Sequence, residues 1–199
     1  MMQTISGLSN ELPFPHLILN NFYNEEELEL IWEELKFYTH PGKLMGAKDF
    51  GGVIGSTNSQ ALCLDNIYQD RSKKGDPNYR KLSSILTVTR KIFESGCIQE
   101  FADIHPCCAV APDSNYDNTK VRYYHNGEYY KPHTDSAIHF LAFSYFHKEP
   151  KRYSGGELYF PHYDYEYSCD NNSLIIFPGW VTHGVREVKI EDSDYYDGY

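Results

Sequence analysis

The second half of the chain most restricts the fold, because from about residue 107 its hydrophobic pattern becomes a series of short strands. The segments there are rich in Tyr, Phe, Ile and Val and are separated by Gly, Asn, Asp, Pro and Ser, which is typical of strands and turns. The predicted strands cover 107–111, 119–125, 128–135, 137–147, 156–161, 164–169, 173–178 and 181–189. Such strands, following helices, predict an α+β domain whose sheets curl into a barrel or jelly roll.

The first half of the chain carries the helical patterns. Asn24 can cap a helix, and Glu27, three residues later, can complete a capping box. Asp76-Pro77 predicts the start of a second helix that keeps its apolar spacing up to Gly96, and a short helix is predicted over 98–103. We expect the apolar faces of these helices to support a sheet.

The remaining segments complete a single predicted domain over 1–199. Residues 1–12 are predicted to be a loose lead-in, and a short apolar run over 17–19 predicts a first strand. Residues 42–75 show no periodicity and predict either a lid over a binding site or an ordered excursion with a short strand or two. We expect helical support over about 1–106 and the β core over about 107–199.

Charge and hydropathy exclude some partners. The net charge of −10 disfavours nucleic acid as a partner, because nucleic-acid binders normally show a basic stripe. No apolar run approaches the roughly 20 residues that span a bilayer, so we expect no membrane insertion. The N-terminus lacks a basic region followed by an apolar stretch, so no secretory signal is predicted.

Five cysteines, an odd number with no Cys-x-x-Cys pair, predict reduced thiols and a cytoplasmic location. The spacing also argues against a zinc ribbon. The adjacent Cys107 and Cys108 are interpreted as structural residues near a strand, with no catalytic role.

His133 and Asp135 form the candidate metal pair. In an extended chain residues i and i+2 project to one face, so this imidazole and carboxylate point the same way. Nine His and 28 acidic residues give about one such pair by chance, and the chain also contains His147-x-Glu149 and His162-x-Asp164. Only the first pair precedes a long apolar strand, Ala137 to Phe146, that can form a rigid wall.

A third candidate ligand, His183, follows the buried-looking strand 173–178. Two histidines and one carboxylate on one face of a divalent metal form the facial triad of non-haem Fe(II) oxygenases, which leaves the other face open for substrates. The two competing pairs are predicted to lie elsewhere. Glu149 is followed by turn residues, which predicts an exposed hairpin, and His162-x-Asp164 follows Pro161 on a predicted surface strand.

Four motifs in region 121–188 together resemble the prolyl 4-hydroxylase-like branch of the Fe(II)/2-oxoglutarate dioxygenases. They are Arg122-Tyr123-Tyr124-x-x-Gly127-x-Tyr129-Tyr130-x-x-His133-x-Asp135, Ser154-Gly155-Gly156-Glu157-Leu158-x-Phe160-Pro161, Ser173-Leu174-Ile175-Ile176-Phe177, and His183-Gly184-Val185-Arg186-Glu187-Val188. Each is weak alone, whereas their order and spacing are specific together. The strand at Phe14-Pro15-His16 and the Asn24-capped helix are also similar to this family's N-terminal support.

The resemblance implies a double-stranded β-helix, the jelly-roll or cupin-like barrel, supported by N-terminal helices. It implies that His133, Asp135 and His183 hold Fe(II), with 2-oxoglutarate and O2 as cosubstrates and ascorbate as a possible addition. By the same resemblance, Tyr124 corresponds to a tyrosine near the cosubstrate. Tyr145 corresponds to a tyrosine that hydrogen-bonds the distal carboxylate of 2-oxoglutarate. Phe143, Tyr145 and His147 alternate onto one strand face, so Tyr145 is predicted to point inward.

One departure from the family concerns the basic residue that clamps the distal carboxylate from the strand after the distal histidine. The chain offers Arg186 and Lys189 there. Arg186 lies at odd spacing from His183 and should face away from the metal, while Lys189 shares its parity but lies roughly 20 Å along the strand. We expect the natural chain to continue past Tyr199 and supply this residue; without it, binding of the cosubstrate is in doubt.

The predicted reaction is hydroxylation of a C–H bond, and the resemblance implies a prolyl residue in a peptide or protein as substrate. The carboxylate of Asp135 favours hydroxylation over halogenation, because Gly or Ala at this position would open a site for halide. A free amino acid or another small molecule is the alternative substrate. The rival from another class is a non-catalytic, cupin-like module that binds a metal through the same residues.

Overall fold

The computed structural model describes residues 3–9, 12–39, 42–46, 49, 56–69, 76–135 and 137–191. Within them the α-helices are α1 (Glu25–Tyr38), α2 (Leu64–Tyr68), α3 (Ser84–Val88), α4 (Lys91–Glu94) and α5 (Cys97–Ile104). The strands are β1 (Gln3–Gly7), β2 (His16–Asn20), β3 (Met45–Gly46), β4 (Gln60–Cys63), β5 (Lys120–Tyr123), β6 (Tyr130–His133), β7 (Phe140–Tyr145), β8 (Leu158–Phe160), β9 (Tyr165–Tyr167), β10 (Ser173–Pro178) and β11 (His183–Val185).

In the described part of the chain, the strands form antiparallel sheets. The first has the order β1-β2-β10-β7, the second β6-β11-β8-β9 and the third β3-β4-β5. Strand β10 is central in the first sheet, where Ser173 lies opposite Asn20 on β2 and opposite Tyr145 on β7. Its continuous apolar sequence suits this position, because both of its faces are buried.

Alternate residues of β10 divide the core between two layers. Leu174 and Ile176 face the helices, while Ile175 and Phe177 face the second sheet; all four are fully buried. The helix-side cluster also contains Leu17, Leu19, Phe22, Ile31, Ile92, Ile98 and Phe101. The cluster shared with the second sheet also contains Phe14, Ile18, Leu158, Phe160, Tyr167 and Val181. The first sheet is therefore packed between helices and a second sheet.

The N-terminal segment contains one confirmed and one wrong prediction. Helix α1 begins with the predicted capping box: the side chain of Asn24 accepts from the amide of Glu27 at 2.9 Å, and the carboxylate of Glu27 accepts from the amide of Asn24 at 2.8 Å. Residues 1–12 are not simply a loose lead-in, because β1 pairs with the whole of β2. The side chains of residues 4–6 are exposed, so backbone pairing forms this edge strand without an apolar pattern.

A strand over 107–111 was predicted, and that prediction is wrong. Two 3-10 helices, Pro106–Cys108 and Ala111–Asp113, cover this region. Proline at the start of each fixes φ and removes a backbone donor, which suits a helical turn better than a strand interior. Cys107 and Cys108 lie in the first of these turns, where Cys108 is buried.

The predicted helix from Asp76 to Gly96 is interrupted. A 3-10 helix (Pro77–Leu82) comes first, and Ser83 then caps α3 by accepting from the amide of Leu86 at 3.1 Å. Helix α4 follows as a separate short helix. A capping serine inside the apolar repeat therefore starts a new helix. The short helix predicted over 98–103 is confirmed as α5, and it packs on the first sheet.

The segment 42–75 is an ordered excursion where it is described. Strands β3 and β4 join β5 in the third sheet, and Leu62 and Leu64 are buried against α3 and β5. Residues 47–48, 50–55 and 70–75 of the predicted lid lie outside the described residues.

The predicted α+β class with antiparallel sheets and supporting helices is confirmed. Among the helices of the described ranges, none has the length and apolar character needed to cross a membrane.

Candidate metal centre

Two histidines face each other across paired strands. Strand β11 pairs antiparallel with β6, and His183 lies directly opposite His133. Opposing residues of antiparallel strands project to the same face, so their side chains are neighbours. The two ring centroids are 4.4 Å apart. The register of this strand pair therefore brings together two histidines that are 50 positions apart in the sequence.

The backbone on either side fixes Asp135. Its amide donates to the carbonyl of Gly179 at 2.8 Å, and its own carbonyl accepts from the amide of Ile138 at 2.8 Å. A side chain at Gly179 would overlap the carbonyl oxygens of both Ile138 and Asp135. Glycine is therefore required where the β10–β11 turn passes the carboxylate ligand.

Both imidazole rings are oriented by backbone carbonyls. Nδ1 of His133 lies 2.9 Å from the carbonyl of Lys131, and Nδ1 of His183 lies 2.9 Å from the carbonyl of Val181. A carbonyl can only accept, so Nδ1 is the donor in each ring and Nε2 of the neutral imidazole keeps its lone pair. Metal-binding histidines characteristically use this arrangement, because it sets both the tautomer and the direction of Nε2.

The three predicted ligands converge. Nε2 of His133 and Nε2 of His183 each lie 3.8 Å from Oδ2 of Asp135. One candidate ligand atom from each residue lies within 4.8 Å of the others, and no other such His/Cys/Asp/Glu group occurs among the described residues. The side chain of His183 is 3% exposed, whereas that of Asp135 is 35% exposed. The cluster is thus closed on the protein side and open on the other.

Aromatic rings hold the histidines in place. Tyr130 stacks on His133 with centroids 3.9 Å apart and planes 20° apart. Phe177 and Phe143 contact His183 edge-on at 5.1 and 5.7 Å. Burial lowers the pKa of His183 to about 4, so its ring is neutral at pH 7 and available as a ligand.

The competing His-x-acid pairs do not form such a cluster. The pair His147 and Glu149 was predicted to lie on an exposed hairpin, and this is wrong for His147, which is buried. Glu149 is exposed, and its Oε1 lies 3.6 Å from Nδ1 of His147. His162 and Asp164 lie in the turn between β8 and β9, not in the predicted surface strand. Asp164 has a φ of 49°, which is typical of turns.

Tyr145, a predicted cosubstrate residue, ends β7 on the predicted inward face. Phe143, two residues earlier on that face, contacts His183, so Tyr145 lies about 7 Å further along the strand. Its hydroxyl is buried and makes no well-aligned hydrogen bond among the described residues, with the thiol of Cys169 as a neighbour. Burial raises the pKa of Tyr145, so the phenol stays protonated and can donate.

Tyr124, the other predicted cosubstrate residue, follows β5 and is half-buried. Burial raises its pKa, while the positive charge of Arg122 and a hydrogen bond with Ser59 act in the opposite direction. Tyr124 is one of the groups that raise the pKa of Tyr145, after the burial of Tyr145 and the influence of Cys169.

The two basic residues after His183 point elsewhere. Nε of Arg186 donates to the carboxylate of Glu166 at 2.6 Å, and its guanidinium lies 3.9 Å from the ring centre of Tyr159. Its outward orientation follows the predicted parity. Lys189 is exposed and pairs through its backbone with Ser154. Residues 192–199 lie outside the described residues.

Sequence reasoning missed the supporting residues Tyr130, Phe177, Gly179 and Arg122. Tyr130 and Phe177 appeared only as motif letters. Tyr130 and His133 lie in the same short strand, three residues apart. An odd spacing normally places two side chains on opposite faces of a strand, so the sequence does not predict that they stack.

Comparison with known proteins agrees with this geometry. Residues 119–194 match the family model of the 2OG-Fe(II) oxygenase superfamily. The resemblance seen in the motifs is therefore confirmed, and the cofactors that this superfamily implies are Fe(II), 2-oxoglutarate and O2. No curated protein matches the chain.

Solved structures extend the likeness of the fold. A prolyl-4-hydroxylase from Pseudomonas putida is similar with a TM-score of 0.57 and 13% identity, over 89% of this chain and 87% of that chain. A viral collagen prolyl hydroxylase from Paramecium bursaria Chlorella virus-1, in complex with 2-oxoglutarate, has a TM-score of 0.48 and 18% identity over 88% of this chain and 89% of that chain. The first likeness concerns the fold alone, and the second is too weak to support a conclusion.

Proposed function

We propose that this protein is a 2-oxoglutarate-dependent dioxygenase that hydroxylates a C–H bond of a prolyl residue in a peptide or protein. The observation that carries the proposal is the convergence of His133, Asp135 and His183, with Nε2 of each histidine 3.8 Å from Oδ2 of Asp135. In this proposal these residues are the Fe(II) ligands, and the two larger sheets are the halves of a double-stranded β-helix.

The donor set fits Fe(II). Two neutral imidazoles and one carboxylate on one side of a metal leave positions open on the other, which non-haem Fe(II) oxygenases require. The ligands sit on paired strands and a backbone-fixed turn, so their geometry is preorganised. The buried hydroxyl of Tyr145 has no well-aligned hydrogen-bond partner, so it can donate to a bound ligand. The distal carboxylate of 2-oxoglutarate would supply the acceptor.

Each residue has a defined task in this proposal. When bound, Fe(II) with 2-oxoglutarate and O2 supplies the oxidant for hydroxylation and yields succinate and carbon dioxide. Asp135 contributes the negative charge, and His133 and His183 contribute neutral nitrogen ligands held by backbone carbonyls. Tyr145 and Tyr124 orient the keto acid. Phe143 and Phe177 exclude water from the inner side of His183.

Apolar residues beside the open side support a prolyl substrate. Ile138 and Trp180 are 46% and 50% exposed, and each is next to a backbone group that holds Asp135. Aromatic and apolar surfaces of this kind suit proline-rich segments, which bind in extended conformations with little loss of entropy. We also propose a reducing, cytoplasmic setting, because the five cysteines are unpaired.

Succinate formation tests the function. The protein is incubated with Fe(II), 2-oxoglutarate and ascorbate, with and without a proline-rich peptide, and succinate and hydroxyproline are measured. We expect peptide-dependent succinate, which His183→Ala abolishes. The matched control is His162→Ala, which removes an exposed histidine from the same kind of His-x-Asp pair and should leave turnover unchanged. Metal binding without any succinate would favour the non-catalytic binding module.

A further inference from the structure

Strand β1 forms an outer edge of the first sheet. It pairs with β2 over its whole length in an unbroken antiparallel register, from Gln3 opposite Asn20 to Gly7 opposite His16. Within the described residues, β2 is the only strand that bonds to the backbone of β1. About half of the backbone N–H and C=O groups of an edge strand point away from its neighbour. The free edge of β1 can therefore accept a further strand.

The other edge strands of the described sheets are protected in ways that β1 is not. Strand β6 contains Lys131 and Pro132. Strands β5 and β9 contain charged residues, β3 has only two residues, and all six residues of β7 are half-buried. Charge, proline, short length and cover are the usual means by which an edge strand avoids pairing with another chain. Strand β1 has five residues without charge, proline or bulge, and the side chains at 4–6 are exposed.

The segment around β1 is uncharged and partly apolar. The first ten residues include no Asp, Glu, Lys or Arg, although the whole chain carries a net charge of −10. Ile5 lies opposite Ile18 and therefore on the same face of the sheet. Ile18 is buried in the core between the two larger sheets, whereas Ile5 is 48% exposed, and Leu8, just after the strand, is 55% exposed. The apolar inner face of the first sheet thus continues to an uncovered edge.

We propose that β1 pairs antiparallel with β1 of a second copy of this chain, which joins the two four-stranded first sheets into one continuous sheet. With the two-fold axis at Ile5, this side chain lies beside Ile5 of the partner subunit, and Thr4 lies opposite Ser6 of the partner subunit. Apolar pairs and hydroxyl pairs both stabilise neighbouring antiparallel strands. Because the strand is uncharged, pairing it with its own copy brings no like charges together. The same surface is used on both copies, so assembly stops at the dimer.

Area and charge determine the strength of this dimer. Two five-residue strands bury less surface than the roughly 1,200 Å² of a typical stable interface, so the dimer is weak. Helix α5 lies beside β1 and carries the exposed acidic residues Glu100 and Asp103. Together with the net charge of −10 on each chain, they repel the second copy, and salt screens this repulsion. Dimerisation should therefore strengthen as ionic strength rises, whereas binding of a basic protein segment to the same edge would weaken.

Sedimentation equilibrium tests the pairing. Wild type is measured from about 5 to about 500 µM at low and high NaCl concentration, and we expect a monomer–dimer equilibrium with a dissociation constant of roughly 10 to 100 µM. Ile5→Lys places two like charges side by side at the two-fold axis and should weaken the dimer at least about ten-fold. Ile67→Lys is the matched control, because Ile67 is 50% exposed on α2 and the substitution changes the net charge equally; its dissociation constant should equal that of wild type.

Hydrogen exchange locates the interface. The amides of residues 3–7 should exchange more slowly at high than at low protein concentration in wild type, and equally at both in Ile5→Lys. Thr4→Lys, at another exposed position of the strand, replaces Ile5→Lys if thermal unfolding shows that Ile5→Lys is not folded. Because β1 supplies no candidate metal ligand, these variants should keep the Mn(II) affinity of wild type. A monomer over the whole concentration range, growth beyond the dimer, or a dimer that protects a different segment would overturn the proposal.

Discussion

The candidate metal centre and the tyrosine wall, formed by Tyr145 and Tyr167, both lie between the two larger sheets but differ in how their polar atoms are satisfied. At the metal centre, both histidines have oriented hydrogen bonds to carbonyls, and Asp135 is held by its backbone. At the tyrosine wall, the hydroxyls of Tyr145 and Tyr167 are buried and make no well-aligned hydrogen bond among the described residues, although the side chains of Cys169 and Ser173 are their neighbours. The polar atoms of the first region are thus oriented by the protein backbone, while the second region contains buried donors that the described residues satisfy poorly.

This difference separates two kinds of preorganisation. Ligand positions can be fixed by strand register and carbonyl hydrogen bonds, which belong to folding itself. An unsatisfied buried hydroxyl costs about 1–3 kcal/mol, and a ligand that supplies an acceptor recovers that free energy. If the comparison is correct, substitutions at the metal centre abolish metal binding. Substitutions at the tyrosine wall instead lower the affinity for the ligand and raise the stability of the ligand-free protein.

Asp135→Asn should have the largest effect on the metal centre. Loss of the only anionic ligand should weaken Mn(II) or Fe(II) binding by on the order of a hundred-fold or more, since loss of an outer-shell partner alone costs about 10- to 100-fold. The affinity is measured by calorimetry. Asp164→Asn is the matched control, because asparagine tolerates the positive φ of that turn; equal losses in the two variants would show that Asp135 is not a ligand.

Tyr145→Phe tests the tyrosine wall. Removing the unpaired hydroxyl should raise the melting temperature of the ligand-free protein by about 2–4 °C, and should weaken 2-oxoglutarate binding about ten-fold. Tyr167→Phe should stabilise the protein similarly through its own unpaired hydroxyl. A comparable loss of 2-oxoglutarate affinity in Tyr167→Phe, or none in Tyr145→Phe, would remove the distinction between these two tyrosines.

Trp180→Ala concerns the open side beyond the metal. Half-exposed Trp180 should contribute to peptide docking but not to the keto-acid site, so the KM for a proline-rich peptide should rise by roughly three- to ten-fold. The 2-oxoglutarate turnover measured without peptide should stay unchanged. Phe37→Ala, which removes a similarly exposed aromatic residue from α1, serves as control. An unchanged KM for the peptide would contradict a docking role for Trp180.

The smallest expected effect concerns Cys169, behind the tyrosine wall. Burial raises the pKa of its thiol to about 12, so between pH 9 and 12 the unfolded chain releases a proton that the folded chain keeps. The free energy of unfolding therefore falls as pH rises through this window. Between pH 7.5 and 9.5, the free energy of unfolding should fall by about 1 kcal/mol less in Cys169→Ala than in wild type. Denaturant titrations at pH 7.5 and 9.5 measure the fall, and an equal fall in wild type and Cys169→Ala would contradict the prediction.

Local sequence signals predicted the elements near the site better than those far from it. The strands that carry His133, Tyr145 and His183 were predicted because their apolar runs alternate or end in turn residues. Strand β1 was missed because its pairing with β2 depends on backbone groups, and the predicted strand over 107–111 was wrong because proline starts two helical turns there.

The sequence by itself determined which residue types were available: two histidines and an aspartate at strand ends, tyrosines at alternating positions, and a capping residue for α1. Those features are local, since a two-residue strand period or a helix cap depends only on nearby residues. Only the tertiary structure decided that His183 lies opposite His133, that Gly179 makes room for the carbonyl oxygens of Asp135 and Ile138, and that Tyr130 stacks on His133. Register between distant strands is set by packing of whole sheets, and no short stretch of sequence contains it.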